Sequence, residues 1–285
     1  MGNGPIYPKK LLTYIFAIVL SFLVVVVVIH SIEAVSTDTI NSTSIKEIEN
    51  LNLLGQVYHN RRESEKVIID YPNSSVSESF RSLRSNLDFH LQGEKNKVLL
   101  VTSTFGKEGK SFNSMNIGYS LAINGYRTLL ISFDLRKPRI HEPLKIANNE
   151  GVSSFLIGKA NLEDIILPIG DNIDFIPSGT PPPNPSELIN SGKTAELFKF
   201  AKQNYDYIII DTPPIGLVSD AYELMKYSDF NVYVTRNNFT PRKDFLNNLK
   251  ELIKKNNVKY AVVMNDVDIS ELKSRYHYGY YDSKK

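Results

Sequence analysis

The chain has 285 residues, 42% hydrophobic and 22% charged, with no cysteine and five scattered histidines. These values suit one or two domains folded around a core, and they exclude disulfides, thiolate chemistry and cysteine-bound zinc. A net charge of only +2, from 33 Lys and Arg against 31 Asp and Glu, argues against a nucleic-acid partner, which needs a basic face to displace counterions.

After an N-terminal flank of residues 1–10, Leu11 to Ile29 is apolar apart from Thr13, Tyr14 and Ser21. Nineteen helical residues rise about 28 Å, close to the ~30 Å of a bilayer's hydrocarbon core. His30-Ser-Ile-Glu-Ala-Val offers little of a small-residue cleavage site, so a transmembrane helix over 11–30 is expected rather than a signal peptide. Residues 31–70 are polar and mixed, and read as a linker with one short helix near Ile45–Leu51. Ser75-Val-Ser-Glu78 has the spacing of a capping box and opens a helix to about Leu91. Strand-like runs then alternate with helical stretches: Lys97–Thr102, Thr128–Phe133, Asp174–Pro177, Tyr207–Ile210, Asn231–Thr235 and Tyr260–Met264. Continuous apolar runs such as Ile208-Ile-Ile are those of strands covered on both faces. The alternation predicts an α/β fold over 71–273, a doubly wound and mainly parallel sheet. Residues 274–285 form a polar, Tyr-rich tail.

Between the strand ending at Thr102 and the helix expected from Phe112 lies Ser103-Thr-Phe-Gly-Lys-Glu-Gly109-Lys110-Ser111. This is the setting of a phosphate-binding loop, with backbone N–H groups from Phe105, Gly106, Lys107, Glu108, Gly109, Lys110, Ser111 and Phe112 near the phosphates at a helix N-terminus. Lys110 would reach the β and γ phosphates, and the Ser111 hydroxyl would bind Mg²⁺. Thr104 stands where the pattern usually has its first Gly. Asp211 closes the apolar run Tyr207-Ile-Ile-Ile, where a buried carboxylate needs a partner or a metal, and it is read as a second Mg²⁺ ligand. Leu129-Leu-Ile-Ser132-Phe-Asp134 delivers another carboxylate to the same sheet edge, where α/β ligand sites form.

The stretch from Ser77 to Asp268 resembles the bacterial tyrosine kinases of capsular and exopolysaccharide biosynthesis, relatives of MinD-type ATPases. The resemblance rests on the phosphate loop, Leu135-Arg-Lys-Pro-Arg-Ile-His, Pro177-Ser-Gly-Thr-Pro-Pro-Pro-Asn-Pro-Ser-Glu-Leu and Asp211-Thr-Pro-Pro-Ile-Gly-Leu-Val-Ser-Asp220. It implies a P-loop fold of MinD type behind one transmembrane helix, ATP and Mg²⁺ as cofactors, and Lys110, Asp134 and Asp211 as catalytic groups, with Ser111, Asp134 and Asp211 at the metal. It further implies a ring-like homo-oligomer held through Glu78, Arg81 and Arg84, and phosphate acceptors at Tyr276, Tyr278, Tyr280 and Tyr281. The expected partners are a cognate tyrosine phosphatase, the polysaccharide polymerase and export machinery, and the plasma (inner) membrane, with the kinase domain cytoplasmic. Lys9 and Lys10 alone would favour a cytoplasmic N-terminus; an ATP-using domain requires the opposite, and that requirement sets the expected orientation. In the family a first span and a periplasmic domain lie upstream, so a fragment or shortened form is expected.

One position departs from the pattern. The strand before Leu-Arg-Lys-Pro ends in the family in Asp-x-Asp, the first Asp being taken as the base for the tyrosine proton; here it is Ser132. Losing a general base costs about 10²–10⁴ in rate. A catalytically impaired ATP-binding scaffold is therefore the alternative to an active autokinase. A partitioning-type ATPase is disfavoured, because Phe105 replaces the Lys that those proteins carry early in the loop.

Overall fold

The computed structural model describes residues 10–35, 38–91, 96–255 and 259–270. The chain divides into two compact units at residue 38. The first contains a 26-residue helix, Lys10–Val35, of which Leu11–Ile29 is long and apolar enough by length and composition to cross a membrane.

The second unit is built on an eight-stranded sheet: β1 (Leu53–Tyr58), β2 (Lys97–Ser103), β3 (Thr128–Ser132), β4 (Leu167–Gly170), β5 (Ile173–Ile176), β6 (Tyr207–Asp211), β7 (Phe230–Arg236) and β8 (Lys259–Val267). Their order is β1-β8-β7-β2-β6-β3-β5-β4, parallel throughout except for the edge strand β4. The central strands are apolar on both faces because both faces are covered. Ile208 and Ile210 join one core with Val98 and Leu100, while Ile209 joins the opposite core with Leu99 and Val101. This is the doubly wound α/β arrangement expected from the alternating pattern.

Three local features differ from the sequence reading. Much of the stretch expected as a linker over 31–70 belongs to the fold: β1 lies parallel to β8, and Leu54 and Val57 are buried beside the helix Ser75–His90. Gly55 and Gln56 interrupt its apolar run, which hid the strand. The glycine has a packing reason, since a Cβ there would lie 2.7 Å from Leu83 Cδ2. The cap of that helix also falls one residue earlier than expected: Ser74, not Ser75, is the N-cap, accepting a hydrogen bond from the Ser77 amide at 3.2 Å. Edge strand β4 was missed because it is four residues long, contains Pro168 and returns through Asp171-Asn172, with Asn172 at φ 59°.

Candidate active site

The carboxyl ends of β2, β6 and β3 meet at one edge of the sheet, in the middle of the strand order. The loop after β2 enters the helix Lys110–Ile123 through Gly109, which has φ 94°. Glycine is required there twice over: the backbone is left-handed, and a Cβ would lie 2.0 Å from Asn265 Nδ2. Lys110 is the first residue of the helix and is 93% buried. Its charge and the helix N-terminus both favour an anion in front of the loop.

Ser111 donates a hydrogen bond to Asp211 Oδ2 at 2.8 Å, and Ser114 donates to Oδ1 at 3.2 Å. Asp211 is wholly buried. Burial pushes its carboxyl up to about 6; Lys110 pulls it down and Asp134 pushes it further up, while the two serine hydroxyls oppose the rise. Asp134 is also buried and accepts from the amides of Lys137 at 3.0 Å and Arg136 at 3.3 Å. The guanidinium of Arg136 in turn binds buried Asp220, with Nε to Oδ2 at 2.8 Å. The turn that presents Asp134 is therefore fastened at both ends.

Ser132 and Asp211 are register partners on adjacent strands, and Phe133 donates its amide to the Asp211 carbonyl at 2.8 Å. The Ser132 side chain is 1% exposed, and its Oγ has no hydrogen-bond partner among the described residues. A buried hydroxyl without a partner is costly and points to a group that the site receives from outside.

The site opens into a cavity of about 910 Å³, lined by Lys110, Ser111, Asp134, Lys137, Arg139 and Arg236 among others. That volume admits a nucleotide-sized ligand. The donor set suits a hard cation: two carboxylates and a serine hydroxyl, all oxygen, with no cluster of three or more His, Cys, Asp or Glu among the described residues. Mg²⁺ is held in this manner, by one or two carboxylates together with substrate phosphates.

The structure brings Lys110, Ser111, Ser132, Asp134 and Asp211 together. It turns the Glu108 side chain away from the loop's face. That carboxyl is fully buried, accepts from the Phe105 amide at 2.7 Å and from Thr240 Oγ1, and is raised above its ordinary value by burial. Phe105, Gly106, Lys107 and Phe112 are partly or fully exposed. Glu78, Arg81 and Arg84 lie on the helix Ser75–His90, away from this group. Arg81 pairs with Glu78 at 2.6 Å, and Arg84 donates to the Ser120 carbonyl at 3.2 Å. Tyr276, Tyr278, Tyr280 and Tyr281 lie outside the described residues. The sequence reading missed Ser114, Arg136 with Asp220, and the grip on the loop from β7 and β8. Only Ser114 had a signal, one helical turn after Lys110, where its hydroxyl shares the face that meets Asp211.

The fold and the site define a P-loop nucleotide-binding protein with a divalent-metal position, of the doubly wound α/β class. An AAA domain family model matches residues 96–262. CapB of Staphylococcus aureus is 38% identical over 214 residues, covering 73% of this chain and 92% of CapB. The tyrosine-protein kinase YwqD of Bacillus subtilis is 32% identical over 225 residues, 79% of this chain and 94% of YwqD. The kinase domain of the Escherichia coli tyrosine kinase ETK superposes with a TM-score of 0.75 at 25% identity, over 87% of this chain and all of that domain. MinD of Pyrococcus horikoshii, at 23% identity and a TM-score of 0.51, shares the fold. The chain belongs to the bacterial tyrosine-protein kinases of capsule and exopolysaccharide biosynthesis.

Proposed function

We propose that this chain is a membrane-anchored, ATP-dependent tyrosine autokinase that acts in capsular or exopolysaccharide chain-length control and export. The observation that carries the reading is the convergence of Lys110, Ser111, Asp134 and Asp211 at one buried sheet edge. In this reading Lys110 and the loop amides bind the β and γ phosphates of ATP and orient the terminal one. Ser111, Asp134 and Asp211 hold Mg²⁺, which neutralises charge developing on the transferred group. The γ phosphate passes to Tyr276, Tyr278, Tyr280 or Tyr281 of a neighbouring subunit, in a ring that uses Glu78, Arg81 and Arg84. A tyrosine phosphatase reverses the modification, and the polysaccharide polymerase and export machinery read it. The helix over Leu11–Ile29 is the anchor in the plasma membrane, with the kinase domain on the cytoplasmic side.

The test is the intact mass of the purified protein, stripped by phosphatase and then incubated with MgATP. Additions of one phosphate each, mapped to the tail, are expected. Lys110→Met should abolish both the additions and MgATP binding in calorimetry while leaving the circular dichroism spectrum unchanged. Retained ATP affinity in that variant would remove the phosphate-loop assignment.

The second reading, an impaired scaffold that signals through nucleotide-dependent oligomerisation, is favoured by Ser132 alone. A hydroxyl is not a useful base near neutral pH. Absence of tail phosphate in the stripped and re-incubated protein, with MgATP binding intact, would decide for the scaffold.

A further inference from the structure

The phosphate loop is gripped from the side opposite to Asp134 and Asp211. In the strand order, β6 and β3 flank β2 on one side and carry those carboxylates; β7, β8 and then β1 lie on the other. From that side Arg236, at the end of β7, donates from Nη1 to the Lys107 carbonyl at 3.1 Å. Its Nε donates to Asp266 Oδ2 at 2.8 Å, and the other oxygen of Asp266 accepts from His59 Nδ1, just past the end of β1. Asn265, the neighbour of Asp266, reaches the next loop carbonyl, Glu108 O, at 3.0 Å. Two residues of this chain of bonds are left-handed, Lys107 at φ 66° and Asp266 at φ 64°, conformations that few side chains adopt without a holding contact. Burial alone would raise the Asp266 carboxyl, but its bonds from His59 and Arg236 hold it below the usual carboxylate value. His59, Arg236, Asn265 and Asp266 line the same cavity as Lys110 and Ser111.

We propose that His59, Asp266 and Arg236 are positioning residues that fix the phosphate loop from the side opposite Asp134 and Asp211, so that edge strand β1 is a working part of the nucleotide site. The inference rests on the nucleotide reading above and adds a role to residues outside the matched AAA region: His59 before it and Asp266 after it. In that reading the γ phosphate lies with the metal at Asp211 and Asp134, so a relay on the other side would act on the parts of the nucleotide that the diphosphate and triphosphate share. Loss of the relay therefore weakens MgADP and MgATP by the same factor.

Calorimetry of MgADP and MgATP binding to the full chain in detergent tests this. Asp266→Asn is the chosen variant, because Asn also tolerates the left-handed backbone and only the charge is removed. Asp266→Asn and Arg236→Ala should each weaken both nucleotides about tenfold or more, the size of a lost charge-assisted hydrogen bond. His59→Ala should weaken both a few-fold, and His59→Gln, which keeps a donor, should recover most of that loss. Arg61→Ala, whose guanidinium lies 3.5 Å from exposed Asp268, serves as the control and should change nothing. Unchanged affinities in Asp266→Asn and Arg236→Ala, with native circular dichroism, would overturn the relay while leaving the phosphate loop standing. A loss confined to MgATP would overturn it too, by placing these groups at the transferred phosphate. Wild-type protein that binds neither nucleotide would overturn both readings.

Discussion

At Ser132 a single hydroxyl stands among charged groups, and the surroundings decide what a substitution there does. Ser132→Asp would place a third carboxylate beside Asp211 and Asp134 in a site shielded from water. Like charges in such a site are costly without a cation, so the metal-free variant should melt several degrees below wild type. MgATP should raise its melting temperature by more than it raises that of the wild type. If the chemistry is otherwise intact, tail phosphorylation should rise within the about 10²–10⁴ of a restored general base. Strong activity with Ser132 in place would show that no carboxylate is needed there. Asp211 gives a second prediction at this scale. Its carboxyl titrates at about 6 in the fold against 3.8 in the unfolded chain. The folded state therefore holds the proton more tightly, and the contribution of Asp211 to stability is greatest below pH 4. It declines as pH rises through the window up to about 6, then levels off. In thermal melts of metal-free protein from pH 4 to 7, the stability of the wild type relative to Asp211→Asn should show this decline.

The helix Ser75–His90 presents two separable contributions. Leu83, Phe80 and Leu87 bury one face against β1 and the helix Lys110–Ile123, whereas Glu78, Arg81 and Arg84 occupy another. An exposed i,i+3 pair such as Glu78–Arg81 stabilises a helix by only about 0.2–0.5 kcal/mol. Replacing all three residues with Ala should therefore leave the melting temperature within a few degrees. In light scattering, the soluble unit should shift towards monomer if these side chains hold a ring. A fall in stability with no change in mass would assign them to the bonds seen within the chain, to Pro72 O and Ser120 O. Elements were legible in the sequence where local chemistry and tertiary burial agree. The six strands expected from their apolar runs all form, because strands buried on both faces are apolar at most positions. Edge strands lack that constraint, and β1 and β4 escaped for that reason. The carboxylates at strand ends were legible because a charge closing an apolar run needs an explanation. Arg136–Asp220 and the relay through Asp266 were not, since nothing in a sequence pairs residues 84 or 207 positions apart.

At the scale of the whole chain, the boundary near residue 38 predicts which truncations fold. Removing residues 1–38 takes away the apolar helix and leaves every strand in place, so a soluble, cooperatively melting protein is expected. Removing residues 1–60 also strips β1, with Leu54 and Val57 at 1% and 0% exposure. Two such side chains are worth about 3–6 kcal/mol of burial, and the nine-residue β8 would become a bare sheet edge open to association. Size-exclusion chromatography of the two truncations should give a defined species for the first and aggregate for the second. Equal behaviour would mean that β1 adds nothing to the fold. The same strand has a consequence in time. Leu53 pairs with Val262, roughly 200 residues later, and no other strand in the described sheet borders β1. At a synthesis rate of about 5–20 residues per second, β1 leaves the ribosome some 10–40 s before its partner exists. In order of synthesis the sheet is completed from its β3-β5-β4 end, through β6 and β7 to β8, while its first strand waits, and His59 reaches Asp266 only when β8 is made. A nascent chain thus gains the partner strand of its phosphate loop, and Asp211, with β6 and the last brace on that loop only with β8, so the nucleotide site of newly made protein is incomplete until translation of the domain is nearly finished.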